Sequence, residues 1–508
     1  MASTNSDTAF FGHPRGLSTL FFTEMWERFS YYGMRAILVL FMVTPAAVGG
    51  LEWDAAKAGA VYGTYTALVY LMALPGGWIA DRILGLRRSV FIGGVIIMTG
   101  HILLAMPGAE LTFYLGLLCV VLGTGLLKPN ISALVGQLYT EGDVRRDAGF
   151  SIYYMGINLG AFLSPLVCGW LAQAESFQRI LAGWGISPES SWHFGFGAAA
   201  VGMFFGLMQY LVTGHYMGDA GTVALGAGDE AEQAATRRKF WIGVIGVLAA
   251  VAALVLMARQ GLFTFTAGLV ATAFGWLLAV IVVGFFAWLF MASSWTPQER
   301  KRLIVIGVLF FGAAVFWSAF EQAGSTLTLF ADRSTRGSVF GLSFPSSWFQ
   351  SLNALYIVLL APVFAALWVK LGPRDPSSPT KFAVGLFFLA AGFAVMIGAA
   401  VAARNGVQVS PMWLVVTYLL HTIGELWLSP VGLSAMTKLA PARVSGLMMG
   451  VWFLASSVGN YVGGQISSLY ETFTREAIFG AVTGYAVLAG VIMALLIGPI
   501  KRMMARAD

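Results

Sequence analysis

The chain has 508 residues, of which 58% are hydrophobic and only 11% charged, with a mean hydropathy of +0.77 and a formal net charge of +6. Soluble domains carry about 25% charged residues, so a soluble enzyme, a disulfide scaffold and a disordered chain are excluded, and a polytopic α-helical membrane protein remains. Cys119 and Cys168 both lie inside apolar runs and read as packing residues, which leaves redox and metal chemistry nothing to stand on.

Crossing roughly 30 Å of hydrocarbon takes about 20 mostly apolar residues in a helix. On that criterion spans are expected near 17–43, 55–80, 88–107, 111–135, 148–172 and 194–216. A polar stretch at 217–239 follows, then spans near 240–257 and 262–291. Six more are expected near 302–330, 345–369, 381–403, 411–437, 442–468 and 477–500. The all-α chain therefore reads as fourteen membrane helices in three blocks: a six-helix bundle at 1–216, a linker with a two-helix hairpin at 217–301, and a second six-helix bundle at 302–508. The first span carries Glu24, Glu27, Arg28 and Arg35, so it is not expected to be a cleaved signal peptide.

An even span count puts both ends on one side. Of the 30 Lys and Arg, 20 fall on that side, among them Arg443 and Arg506, and seven on the other. The bias predicts cytoplasmic ends. Three bases, Arg28, Arg35 and Lys128, stay inside spans. The segment LVYLMALPGGWIADRILG at 68–85 resembles LYIVLLAPVFAALWVKLG at 355–372, with Pro75 and Pro362 matched ahead of Gly85 and Gly372. Each is the second helix of a six-helix block. A parallel duplication of this kind places a substrate cavity between the repeats near mid-membrane.

A charge at the centre of a membrane helix costs about 3 kcal/mol even on a lenient scale, and such residues are functional by default. Seven are expected within spans: Glu24, Glu27, Glu321, Glu425, Arg28, Arg35 and Lys128. Glu24, Glu27, Arg28, Tyr31 and Arg35 share one helical face at about 100° per residue. Arg35 and Glu321 lie on the first helices of the two blocks, Lys128 and Glu425 on the fourth. Opposite charges on repeat-related helices suit bridges that form and break as two halves rock, so Arg35–Glu321 and Lys128–Glu425 are expected as gates. The acids Glu24 and Glu27 beside Arg28 titrate as a pair, and because Arg keeps its proton, the acids are the proton carriers.

TEMWERFSYYGMR at 23–35 resembles the E-x-x-E-R-F-x-Y-Y signature of the proton-dependent oligopeptide transporters, a branch of the major facilitator superfamily. Glu24, Glu27, Arg28, Phe29, Tyr31 and Tyr32 fill it. GTGLLKPNISALVGQLY (123–139), FSIYYMGINLGAFLSP (150–165), AFEQAGSTL (319–327), HTIGELWLSP (421–430) and VWFLASSVGNYVGG (451–464) resemble further family stretches. GGWIADRILGLRR (76–88) resembles the general superfamily loop, with Asp81, Arg82, Arg87 and Arg88 in place as a gating and topology element. The resemblance implies a bacterial-type plasma-membrane symporter importing dipeptides and tripeptides with protons, with a monomeric functional unit, no nucleic-acid partner and no cofactor beyond the coupling proton. Carried over, Glu24, Glu27, Arg28 and Glu321 serve proton coupling. Arg35 and Lys128 hold the peptide carboxylate, and Asn158 and Glu425 the amino end. Tyr31, Tyr32 and Tyr70 meet the backbone or side chains, while Trp317, Asn353, Trp452 and Ser456 line the second half. The mammalian members' histidine on the second helix is replaced here by Gly63, and the inserted spans at 240–291 resemble the extra hairpin of bacterial members, for which no part in transport is inferred.

Without the resemblance, Tyr70, Trp317 and Trp452 read as packing, Asn158 as a residue bonded to a neighbouring helix, and His421 as a hydrogen-bonded packing residue. Three other functions compete. A nitrate-carrying relative typically lacks one of the first-helix acids that are both present here. A channel needs no gates pairing two halves. An intramembrane enzyme would need a Ser-His, paired-Asp or His-Glu-x-x-His arrangement that the spans do not offer.

Overall fold

The computed structural model describes residues 7–108, 110–140, 142–222, 229–291, 295–441, 444 and 447–504. Arg443 and Arg506, counted above among the bases on the terminal side, lie outside these described residues.

The first six membrane helices are α1 (Gly16–Val43), the pair α2 (Ala55–Leu71) and α3 (Ala73–Ile79), α4 (Leu86–Ala105), α5 (Glu110–Gln137), α6 (Arg146–Gln173) and α8 (Ser191–Thr213), with the short α7 (Glu175–Gly183) between the last two. The hairpin is α9 (Glu230–Arg259) and α10 (Ala267–Met291). The second set comprises α11 (Pro297–Phe320) continued by α12 (Thr326–Ser334), then α13 (Ser351–Leu371), α14 (Ser378–Ala402), α15 (Met412–Leu439), α16 (Met448–Ser468) and α17 (Arg475–Met504). Fourteen membrane-length segments result among the described residues, of which twelve are apolar enough to cross a bilayer on length and hydropathy alone. The two that fall short are α1, which carries its charged face, and α16, which is rich in Gly, Ser, Asn and Gln.

Local chemistry sets the ends. Asp54 caps α2 by accepting the Lys57 N–H, and Thr296 with Glu299 forms a reciprocal capping box ahead of α11, with Pro297 in its first turn. Helix α9 starts ten residues before the span expected at 240, because Asp229 accepts the Glu232 N–H and the following Ala, Glu and Arg residues favour helix. The polar linker is thus partly helix, extended beyond the membrane-length run. The span expected at 302–330 is broken instead: α11 tightens into a 3₁₀ turn at Glu321–Gly324 before α12 resumes. Short strands β1 (Ser338–Val339) and β2 (Leu342–Ser343) pair antiparallel across a Phe340–Gly341 turn with positive φ at both residues. Gly85 and Gly372, matched in the repeated segments, both take positive φ where their helices end.

Three apolar clusters hold the bundle. One gathers mainly residues of α10 to α17, around Phe310, Phe316, Phe382 and Phe393; a second, around Ile37, Tyr62 and Phe196, is mostly of the first set but takes in Leu329, Tyr470 and Ile478 of the second; the third, around Leu20, Ile131 and Met203, lies within the first set. Within the first set α1 packs on α6 and α8 and α4 on α5, and within the second α14 packs on α15 and α17 and α11 on α16. Between the sets the main interface joins α2 and α16, with α6 against α13 beside it. Helix α10 packs on α2 and touches α11 and α16, whereas α9 has no buried residue and faces outward.

The two sets meet closely on the side opposite the start of α1. A Cβ at Gly63 would stand 2.6 Å from Gly464 Cα, and one at Gly59 would overlap the Ser468 backbone. Here glycine is required for close approach, and a histidine at position 63 has no room. Across the same side, Ser351 Oγ donates to Phe162 O at 2.8 Å, Trp348 Nε1 to Leu166 O at 3.1 Å and Gln173 Nε2 to Ser346 Oγ at 3.0 Å. On the other side α5 and α15 form no comparable interface among the described residues. The two sets are closed together on the side opposite the start of α1.

Candidate functional site

The charged face of α1 turns inward as its spacing predicts: Glu24, Glu27, Arg28, Tyr31 and Arg35 are all buried. Arg28 Nε stands 2.8 Å from Glu24 Oε1 and 2.8 Å from Glu27 Oε2, so two carboxylates share one guanidinium. Glu24 Oε2 and Glu27 Oε1 find no hydrogen-bond partner. Lys128 acts on the same two acids, so the buried group sets two acids against two bases, and a change in any one charge upsets a balance that water cannot screen there.

Two turns further, Arg35 Nη2 meets Glu321 Oε2 at 2.7 Å, the expected bridge between the two sets. Three features that sequence reasoning passed over make it possible. Tyr62 on α2 accepts from Arg35 Nε at 2.8 Å, fixing the guanidinium. The 3₁₀ turn places Glu321 at the break between α11 and α12. Gly324 lets both approach, since a Cβ there would overlap the Tyr62 hydroxyl and stand 2.8 Å from Arg35 Nε. The Glu-Gln-Ala-Gly run at 321–324 was the available signal for that break.

Lys128 and Glu425, expected as the second bridge, are not joined. Lys128 Nζ lies 3.9 Å from the Tyr70 ring centre, and the strongest charges acting on it are Arg28, Glu27, Glu24 and Glu321. Glu425 Oε2 instead accepts from Asn353 Nδ2 at 2.9 Å, and that amide also reaches Thr422 Oγ1 at 3.1 Å. The reason is geometric: the two sets pack through α2 and α16 and through α6 and α13, and α5 and α15 are not among the helix pairs packed between them.

The remaining residues lie around these charges. Tyr32 is in the field of Arg28, Arg35, Glu321 and Glu425 at once, and its ring faces Arg35 at 5.7 Å. Trp317 and Trp452 meet edge to face at 6.3 Å on the second-set wall. Asn158 and Ser456 are buried and bond carbonyls of their own helices, Tyr154 O and Trp452 O. His421 packs 4.8 Å from the Phe393 ring and against Gly392, and its buried Nε2 has no hydrogen-bond partner. Free space enclosed by Tyr32, Arg35, Asn353, Tyr418 and His421 is about 40 Å³, on the order of a single water. A larger cavity of about 960 Å³, lined by Trp26, Phe29, Leu163, Val201 and Phe205, opens between α1, α6 and α8 with no Asp, Glu, Lys or Arg on its wall, so it is separate from the charged site.

At the inner rim Asp81 and Arg82 sit in a π-helical turn, while Arg87 donates to the carbonyls of Gly218 and Ala220 and straps the segment after α8 against α4. Among the described residues no His, Cys, Asp and Glu group has a metal-binding arrangement.

The model of the POT family matches residues 87–224 and 279–485. Peptide transporter YePEPT of Yersinia enterocolitica is 40% identical over 99% of this chain and 97% of its own length. The di-/tripeptide transporter of Lactococcus lactis subsp. cremoris is 38% identical, covering 98% of each. A crystal structure of peptide transporter POT in complex with sulfate superposes with a TM-score of 0.89 at 44% identity, over 98% of this chain and 97% of that one. The fold is of the major facilitator type, and on the match of its sequence and of its helices alike, the chain belongs to the POT family.

Proposed function

We propose that this chain is a proton-coupled symporter that imports dipeptides and tripeptides by alternating access. The observation that carries the reading is the segregation of charge around one buried site: Arg35 and Lys128 stand on the first six-helix set, Glu321 and Glu425 on the second. A zwitterionic peptide offers opposite charges one to three residues apart and fits between a basic and an acidic wall. Arg35 and Lys128 hold its carboxylate, and Glu425 with Asn158 its amino end. Tyr31, Tyr32 and Tyr70 meet the backbone, and Trp317, Asn353, Trp452 and Ser456 bound the side-chain space. Recognition spent on termini and backbone tolerates many side chains.

Lys128, with no acid bonded to it, is ready to receive a carboxylate. When the peptide carboxylate also draws Arg35, Glu321 loses its partner and takes a proton, and the outer bridge opens or closes with substrate and proton together. Glu24, Glu27 and Arg28 form the second proton site. Protons are the coupling ion, and no other cofactor is needed. The units are an N-terminal bundle at 1–216, a linker and hairpin at 217–301 and a C-terminal bundle at 302–508, working as a monomer in the plasma membrane with both ends cytoplasmic.

Uptake of labelled dialanine into proteoliposomes tests the reading. Accumulation is expected only with an inward proton gradient, and accumulation that ignores the gradient overturns the coupling. Glu27→Gln is expected to lower gradient-driven uptake about 100-fold while leaving counterflow within about threefold, because the amide keeps the shape of the side chain but can neither take up nor release a proton. Loss of both activities would instead mark Glu27 as structural.

A further inference from the structure

The outer closure depends on more than the Arg35–Glu321 bridge and the glycine contacts of α2 and α16. Glu471 lies in the turn between α16 and α17. Its Oε1 accepts from Arg333 Nη1 of α12 at 2.7 Å, and its Oε2 accepts the backbone N–H of Ala55, the first residue of α2, at 3.3 Å. A carboxylate of the second helix set thus satisfies a free amide at the N-terminus of a helix in the first set, where the helix dipole favours negative charge. The α2 end is held from its own side too: Lys57 Nζ meets Glu110 Oε1 of α5 at 3.0 Å, and that same oxygen accepts from Trp53 Nε1. Arg404, Arg475 and Glu476 ring the same outer depression as Arg333 and Glu471. The Arg404–Glu476 pair at 2.6 Å joins residues of the second set alone. The described side-chain pairs in this depression place only Glu471 across the seam.

We propose that Glu471 is a positioning residue for transport: an outer latch that ties the start of α2 to α12 and so weights the equilibrium toward the outward-closed state. It touches no substrate and acts through α2, whose inner portion carries Tyr62 and Tyr70 into the site. Rocking open toward the outside must pull Ala55 away from Glu471, whereas the Glu471–Arg333 pair can travel intact with the second set. This inference rests on the alternating-access reading, but its readout does not need uptake.

The test places spin labels at Val48 and Val407, exposed outer positions on the two sets, in the full-length chain with Cys119 and Cys168 replaced by alanine, and measures their distance distribution in detergent. Glu471→Ala is expected to raise the ratio of long to short outer distances about fivefold, the scale of one charge-assisted contact plus one exposed pair. Glu471→Gln keeps an acceptor for the Ala55 amide and is expected to shift it about twofold. Arg333→Ala leaves the cross-seam contact and is expected to shift it less than Glu471→Ala. An unchanged distribution in Glu471→Ala, or an equal shift in Arg333→Ala, overturns the latch. Failure of gradient-driven dialanine uptake in the unsubstituted protein, with the Glu471→Ala shift intact, would overturn the substrate and coupling reading and leave the latch standing.

Discussion

Two charge pairs on matching helices of the two bundles are in opposite states. Arg35 and Glu321, on the first helix of each, touch at 2.7 Å, while Lys128 and Glu425, on the fourth, point to Tyr70 and to Asn353. Their sequence relation is the same, so local propensity does not explain the difference. The packing of the two bundles does: glycines bring α2 and α16 together on the outer side, and α5 and α15 are not among the helix pairs packed between the bundles. A two-gate transporter needs this exclusivity, because two gates open together would make a channel.

The sharpest way to break the comparison is to reverse charge at the unpaired gate. Glu425→Lys is expected to abolish gradient-driven dialanine uptake, by about 100-fold or more, and Lys128→Glu with Glu425→Lys to recover it to within about tenfold. No recovery at all would mean that the two residues never meet and serve only the substrate. Next in size, Gly63→Val pushes a side chain into the Gly464 backbone. Overpacking of this sort costs about 1–3 kcal/mol, and it is expected to widen the outer distance between Val48 and Val407 and slow uptake about tenfold. An unaltered outer distance would show that the seam is not what closes the outer side.

The smallest effect is one of pH. The Arg333 guanidinium, helped less by the Ala55 amide, holds the Glu471 carboxyl below its ordinary range, while burial opposes it. A group lowered in the closed state stabilises closure fully above its ordinary value near about 4.3 and loses that contribution as pH falls through the lowered one. The outer distance of the unsubstituted protein is therefore expected to hold until below about pH 4, then lengthen. The carboxyl shares its surroundings with Arg333, Arg404, Arg475 and Glu476, and Glu476 is lowered as well, by Arg404. Glu476 does not cross the seam, so Glu471→Gln is expected to flatten the acid-induced change. A matching acid response in Glu471→Gln would assign it elsewhere.

Much of this was readable from spacing. The inward face of α1 follows from the i, i+3, i+4, i+7, i+11 run from Glu24 to Arg35, since charges cannot face lipid. Twelve of the fourteen membrane-length segments follow from apolar length alone, and opposite signs on repeat-related helices single out Arg35 with Glu321 as a candidate pair without deciding that it forms. The break at Glu321 is passed over when 302–330 is read as one span, although the Glu-Gln-Ala-Gly stretch at 321–324 interrupts its apolar run. Tyr62 was hidden because an isolated tyrosine in an apolar helix is ordinary. The α9 start at Glu230 was hidden because a helix can extend outside the membrane, where hydropathy no longer marks it.

What the amino-acid sequence determined by itself is the solvent each residue must live in: apolar length assigns helices to the membrane, and the cost of a bare charge there assigns seven ionisable side chains to a shared interior. Which of those charges touch was decided only by tertiary structure. Contact between helices far apart in sequence depends on how closely backbones approach, and here Gly63 against Gly464 and Gly324 beside Tyr62 set that approach. One gate is therefore made and the other left apart in a single arrangement of the same chain.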